Sequence, residues 1–96
     1  MTQYRHSTSP MTVYRAHPFF RTGPKRAVLR IVNALALDGP TLTRAQLRTL
    51  THIGESGTSR YVKLGVEMGL LEATRHTVTL RPDWKNVVER SSEAPS

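Results

Sequence analysis

Ninety-six residues are enough for one small domain, and 38% hydrophobic against 22% charged residues is the balance of a soluble globular chain with loose ends. The absence of cysteine excludes disulfides and thiolate metal sites, and no apolar run approaches the roughly 18 residues of a membrane span. The formal charge of +7 is unevenly spread: residues 1–26 hold Arg5, Arg15, Arg21, Lys25 and Arg26 with no acid, while the remainder is nearly balanced.

A basic arm on a near-neutral domain suits a polyanion, most simply a nucleic acid. The polar N-terminus lacks the apolar h-region of a secretory signal, so a cytoplasmic protein is expected. Residues 1–22 carry no helical or strand periodicity and read as a largely irregular arm. Tyr4, Tyr14, Phe19 and Phe20 stand out in it. Adjacent phenylalanines gain little in a disordered tail, so Phe19 and Phe20 are expected to pack on the domain or on a second subunit. Arg15 and Arg21 are candidates for phosphate or minor-groove contact, with plain packing as the alternative.

The folded domain is expected over residues 23–90. Thr22 or Gly23 can cap a first helix with Pro24 in its first turn, and Val28, Ile31, Val32 and Leu35 form one apolar stripe. Arg26 and Arg30 fall on its outer face. Asp38-Gly39-Pro40 stops it, with Gly39 free to take a positive φ. Thr41-Leu42-Thr43 is short and β-prone. Thr43 with Gln46 makes a capping box, and Leu42 with Leu47 a hydrophobic staple, so a second helix starts there. Leu47, Leu50 and Ile53 are expected to face inward over about three turns, with Gly54 as the left-handed stop.

Glu55-Ser56-Gly57-Thr58 reads as a turn, with Ser56 capping a third helix over about residues 57–69. Its expected inward set is Tyr61, Val62, Val66, Met68 and Leu70, with Arg60, Lys63 and Glu67 on the opposite edge. Residues 72–81 read as a hairpin: Thr77-Val78-Thr79-Leu80 alternates polar and apolar, Glu72-Ala73-Thr74 pairs with it, and Arg75-His76 sits at the tip. Pro82-Asp83 leads into a last short helix with Trp84, Val87 and Val88 on one side. Residues 91–96 read as a disordered tail.

The segment Ser59–Asp83, SRYVKLGVEMGLLEATRHTVTLRPD, resembles the recognition helix and wing of MarR- and ArsR-type bacterial regulators. The resemblance spans residues 24–82. It implies a winged helix-turn-helix: mainly α, with a small antiparallel β-hairpin. Gly65 departs from it, standing where such helices carry a large buried aliphatic, so either another element approaches closely there or the helix bends.

The expected function is sequence-specific binding of double-stranded DNA by a small transcriptional regulator, a repressor in the first instance. Arg60 is the candidate for guanine readout, with Ser56, Thr58 and Ser59 supplying hydroxyls. Lys63, Arg44 and Arg48 are candidates for phosphate, and Arg75 with His76 for the wing contact. A homodimer is expected on a two-fold site, with Trp84, Val87, Val88, Phe19 and Phe20 either forming its interface or closing the monomer core. His6, His17, His52 and His76 have no metal-ligand spacing, and neither a phosphate loop nor a nucleophile elbow occurs, so no enzyme, metal or cofactor is expected. The alternatives are a protein–protein interaction module, such as a phage- or plasmid-encoded inhibitor, or a replication or partition factor.

Overall fold

A computed structural model describes residues 10–93. Its elements in chain order are α1 (Pro10–Tyr14), a 3-10 turn (Pro18–Phe20), α2 (Gly23–Asp38), β1 (Thr41–Thr43), α3 (Arg44–Thr51), α4 (Glu55–Glu67), β2 (Leu71–Ala73), β3 (Thr77–Leu80) and α5 (Trp84–Glu93). The chain is mainly helical, with one antiparallel three-stranded sheet in the order β1-β3-β2. Among the described residues, no helix is long and apolar enough to cross a membrane.

The stripe on α2 organises the core. Val28, Leu29, Ile31, Val32, Ala34 and Leu35 are all buried, and α2 packs against α4, α1, α3 and the 3-10 turn. Its start follows the expectation: Thr22 Oγ1 accepts the Lys25 N–H at 3.3 Å, and Pro24 stands in the first turn. Its end does not use a left-handed glycine. Gly39 has φ −93°, and what excludes a side chain there is proximity, since a Cβ would lie 2.5 Å from the Leu35 carbonyl oxygen.

The arm is folded from Pro10 onward. Tyr14 and Phe20 are buried, Phe19 is half-buried against the core, and Tyr14 stacks edge-on to Trp84 with ring centroids 5.3 Å apart. This corrects the irregular arm for residues 10–22, because the aromatics spaced along it all find partners in one cluster. The same packing fits the second of the two roles expected of Phe19, Phe20, Trp84, Val87 and Val88, closure of the chain's own core. Phe20, Trp84 and Val88 are buried, and Phe19 and Val87 lie against them, so these five side chains close the chain's own core. Tyr4 and His6, and the 94–96 part of the tail, lie outside the described residues; residues 91–93 continue α5.

The capping box of α3 is present in full. Thr43 Oγ1 accepts the Gln46 N–H at 3.1 Å, and Gln46 Oε1 accepts the Thr43 N–H at 2.9 Å. The helix is shorter than expected and stops at His52, which takes the left-handed conformation at φ 60°, while Gly54 is extended and serves as the N-cap of α4. Leu50 is consequently exposed and not inward.

Helix α4 therefore begins at Glu55 rather than after Ser56, and no side chain caps it. It buries Thr58, Val62 and Gly65, while Tyr61 is only half-buried and Val66 is exposed. Its C-terminus closes with Gly69 at φ 84°: the Leu70 N–H reaches the Gly65 carbonyl and the Gly69 N–H that of Val66, both at 3.0 Å. That pair of bonds satisfies two carbonyls the last turn leaves free. Leu70 then drops into the core.

Strand β3 sits between its neighbours, with Thr79 opposite both Thr41 and Glu72 and Val78 opposite Leu42 and Ala73. Leu42, Leu71, Val78 and Leu80 are buried, and Thr41 and Thr79 join hydroxyls at 2.9 Å across the other face. The third strand, β1, adds to the hairpin read from the sequence.

Candidate functional site

Four of the expected contact residues share one cleft. Arg44 and Arg48 from α3, Arg75 and His76 from the β2–β3 tip, and Glu55 at the start of α4 line it together with Thr43 and Ala45. The convergence follows from topology. The register of β1 against β3 sets Thr43 opposite Thr77, so α3, which starts at the next residue, rises beside the hairpin tip. Helix α4 follows closely on α3, with only His52, Ile53 and Gly54 between them.

The exposed arc of α4 carries Glu55, Ser56, Ser59, Arg60, Lys63, Val66 and Glu67. At about 100° per residue these seven fall on one contiguous face. Arg60 and Lys63 are thus open to a partner, and so are the hydroxyls of Ser56 and Ser59. Thr58 is not. It is buried, and its Oγ1 donates to the Ile53 carbonyl at 3.3 Å, so it braces the α3–α4 turn and cannot touch a ligand.

Arg44 also departs from its expected role. Its guanidinium is turned onto the hairpin, where Nη2 donates to the Thr74 carbonyl at 2.8 Å and Nε to the Arg75 carbonyl at 3.1 Å. Arg48 is half-buried, and Arg75 and His76 are exposed. His52, in the left-handed position of the connecting turn, is exposed as well.

No family model, curated protein or solved structure matches this chain. Function has to be read from the side chains themselves.

Arg15 and Arg21 are exposed, and neither lines the first cleft. Arg15 lines a different groove with Arg26, Arg30, Met11, Val13, Ala16 and Leu29, and that groove holds no acid. Arg26 and Arg30 read from sequence as a solvated edge of α2. Their i, i+4 spacing was the available signal that they share a face. Arg30 additionally reaches the Thr51 carbonyl at the end of α3 and ties the two helices together. Among the described residues, no three His, Asp or Glu side chains gather as a metal site would require. No buried side-chain nitrogen or oxygen lacks a hydrogen-bond partner among them.

Proposed function

We propose that the chain is a winged helix-turn-helix protein that binds double-stranded DNA by sequence and acts as a small transcriptional regulator, in the first instance a repressor. The observation that carries the reading is the cleft where Arg48, Arg75 and His76 meet at the start of α4. A helix with an exposed polar arc, flanked by cationic side chains from a neighbouring helix and a hairpin tip, has the parts for groove insertion with backbone contacts on both sides. In this reading α4 enters the major groove, and Arg60 pairs with a guanine edge while Ser56 and Ser59 make shorter contacts. Lys63 and Arg48 take phosphates, and Arg75 and His76 take the adjoining backbone or minor groove.

Selection of bound duplexes from a random pool, followed by salt titration of the selected site, tests this directly. Affinity should fall steeply with salt, since phosphate contacts release counterions. Arg60→Ala should cost about 1–3 kcal/mol on the selected duplex and relax one base position. An unchanged consensus with Arg60→Ala would remove the base-reading role of α4.

One observation favours a second reading. Val66 is 43% exposed on the α4 arc, beside Glu67 and on the same side as Glu55. An exposed apolar residue next to an acid suits a protein partner better than a phosphate backbone. Lack of any duplex binding at low salt would favour an interaction module built on the same face.

A further inference from the structure

We propose that Arg44 is a positioning residue that sets the geometry of the 74–76 tip, and that its charge is not itself a contact to the polyanion. This rests on the DNA-binding reading above for its functional consequence. Three successive tip carbonyls are held by this one residue. The Arg44 N–H donates to the His76 carbonyl at 3.0 Å. Its Nε donates to the carbonyls of Arg75 at 3.1 Å and Thr74 at 3.3 Å, and Nη2 donates to Thr74 at 2.8 Å.

The tip needs an outside hold. Short hairpin loops ordinarily close through residues at positive φ, which is why Asn-Gly and Gly are favoured in them. Among the described residues the positive φ values belong to His52 and Gly69, and neither is in the tip. Thr74 supplies part of the closure from its own side chain, accepting the N–H groups of Thr77 at 3.0 Å and His76 at 3.3 Å and meeting the Thr77 hydroxyl at 2.8 Å. That leaves the outward carbonyls, and the planar fork of Arg44 takes two of them while its backbone takes the third. The capping box fixes where α3 begins, so it also fixes Arg44, the first residue of the helix. Arg75 and His76 are thereby held at a set distance from Arg48 and α4.

A fork and a point charge separate the possibilities. Arginine presents several donors in one rigid plane, whereas lysine offers a compact ammonium on a flexible stem. Arg44→Lys keeps the charge and loses the fork. The experiment measures affinity of wild type, Arg44→Lys, Arg44→Ala, Arg75→Ala and Arg44→Ala/Arg75→Ala for a random 20-base-pair duplex at low salt, by fluorescence anisotropy. Backbone 15N relaxation of residues 74–76 is measured in the free proteins alongside.

Arg44→Lys and Arg44→Ala should both weaken binding by roughly threefold to tenfold, the order of one lost phosphate contact. The double variant should be little weaker than Arg75→Ala alone, and both Arg44 variants should show faster motion at the tip. Arg44→Lys binding like wild type while Arg44→Ala is weak would overturn the proposal, because charge would then be what matters. Unchanged relaxation at residues 74–76 in both Arg44 variants would overturn it too. Failure of the wild type to bind duplex would count against the DNA-binding reading and the proposed effect on binding, while the relaxation data still decide whether Arg44 holds the tip.

Discussion

Gly65 lacks a Cβ because Leu71 occupies the space one would need. A Cβ built there would overlap Leu71 Cδ1, lie 2.9 Å from its Cγ and 3.3 Å from Val28 Cγ1. Gly65→Ala should gain about 1 kcal/mol in helix propensity and lose about 1–3 kcal/mol to overpacking. A net loss is expected in urea unfolding, and it should shrink in a Leu71→Val background where the strand side chain is shorter. An alanine variant at least as stable as wild type would mean the approach is looser than this. The glycine itself was legible in the sequence as a departure from the pattern, but its reason lay in Leu71 and Val28, on two other elements. Tyr14 makes a second argument at this scale. Burial, then the charge of Glu89 and the 3.4 Å hydrogen bond to its Oε2, raise the Tyr14 hydroxyl above its ordinary value of 10.0. A raised folded-state value means the unfolded chain ionises first. The stability Tyr14 contributes is therefore present below pH about 10 and lost as pH climbs through the raised value. Unfolding measured from pH 8 to 11 should show wild type losing stability at the alkaline end, where Tyr14→Phe loses less. Glu89→Gln should bring the Tyr14 value down, and an unchanged tyrosine titration in that variant would contradict the part assigned to Glu89 and leave burial as the cause.

Helix boundaries were legible where a side chain announces them and illegible where the backbone alone does. Thr22 and the Thr43–Gln46 pair both cap as the sequence indicates. Thr43→Ala should cost about 1 kcal/mol, as loss of a threonine cap ordinarily does, and Gln46→Ala less. Equal stability of Thr43→Ala and wild type in thermal unfolding would show the box to be idle. The α3–α4 turn is hidden in the sequence because its left-handed residue is His52, which carries a side chain, while the nearby Gly54 is extended and caps the next helix. Histidine adopts that conformation more readily than most side chains, but glycine is the stronger expectation. Starting α4 at Glu55 left the large aliphatics a poor guide to its face. Thr58, Val62 and Gly65 go inside because α4 lies close against α2, and a search for large aliphatics at helical spacing cannot see a seam made partly of threonine and glycine. The edge of Arg60 and Lys63 is exposed as its charge indicates, since charge reports solvent even when the buried face is small.

At the scale of the molecule, an aromatic cluster closes the core with side chains that the sequence also offered as a dimer contact. Phe20 and Trp84 join Tyr14 and so tie α1, the 3-10 turn and α5 together, with all three rings buried within the chain. Among the described residues, the large hydrophobics that stay exposed are Val13, Leu37, Leu50 and Val66, at 54%, 58%, 45% and 43%. Val13 lies in the arginine-rimmed groove and Val66 on the α4 arc, whereas Leu37 and Leu50 share one groove between the end of α2 and α3, with Met11, Ala34 and Asp38. Under the DNA-binding reading we propose a homodimer that meets at these two exposed leucines, in a groove that Arg30, Asn33, Asp38 and Thr51 also line. Two copies are useful because one short helix reads few bases, and a two-fold site doubles the contacts. Sedimentation of wild type at tens of micromolar should show a concentration-dependent dimer. Leu50→Glu should give a monomer with unfolding stability within about 0.5 kcal/mol of wild type, as exposed substitutions ordinarily do. It should also weaken binding to a two-fold site more than to an isolated half-site. A wild-type monomer at that concentration, or a Leu50→Glu dimer, would move the contact elsewhere. A monomeric Leu50→Glu that still bound the two-fold site at full strength would show that pairing contributes nothing to binding it.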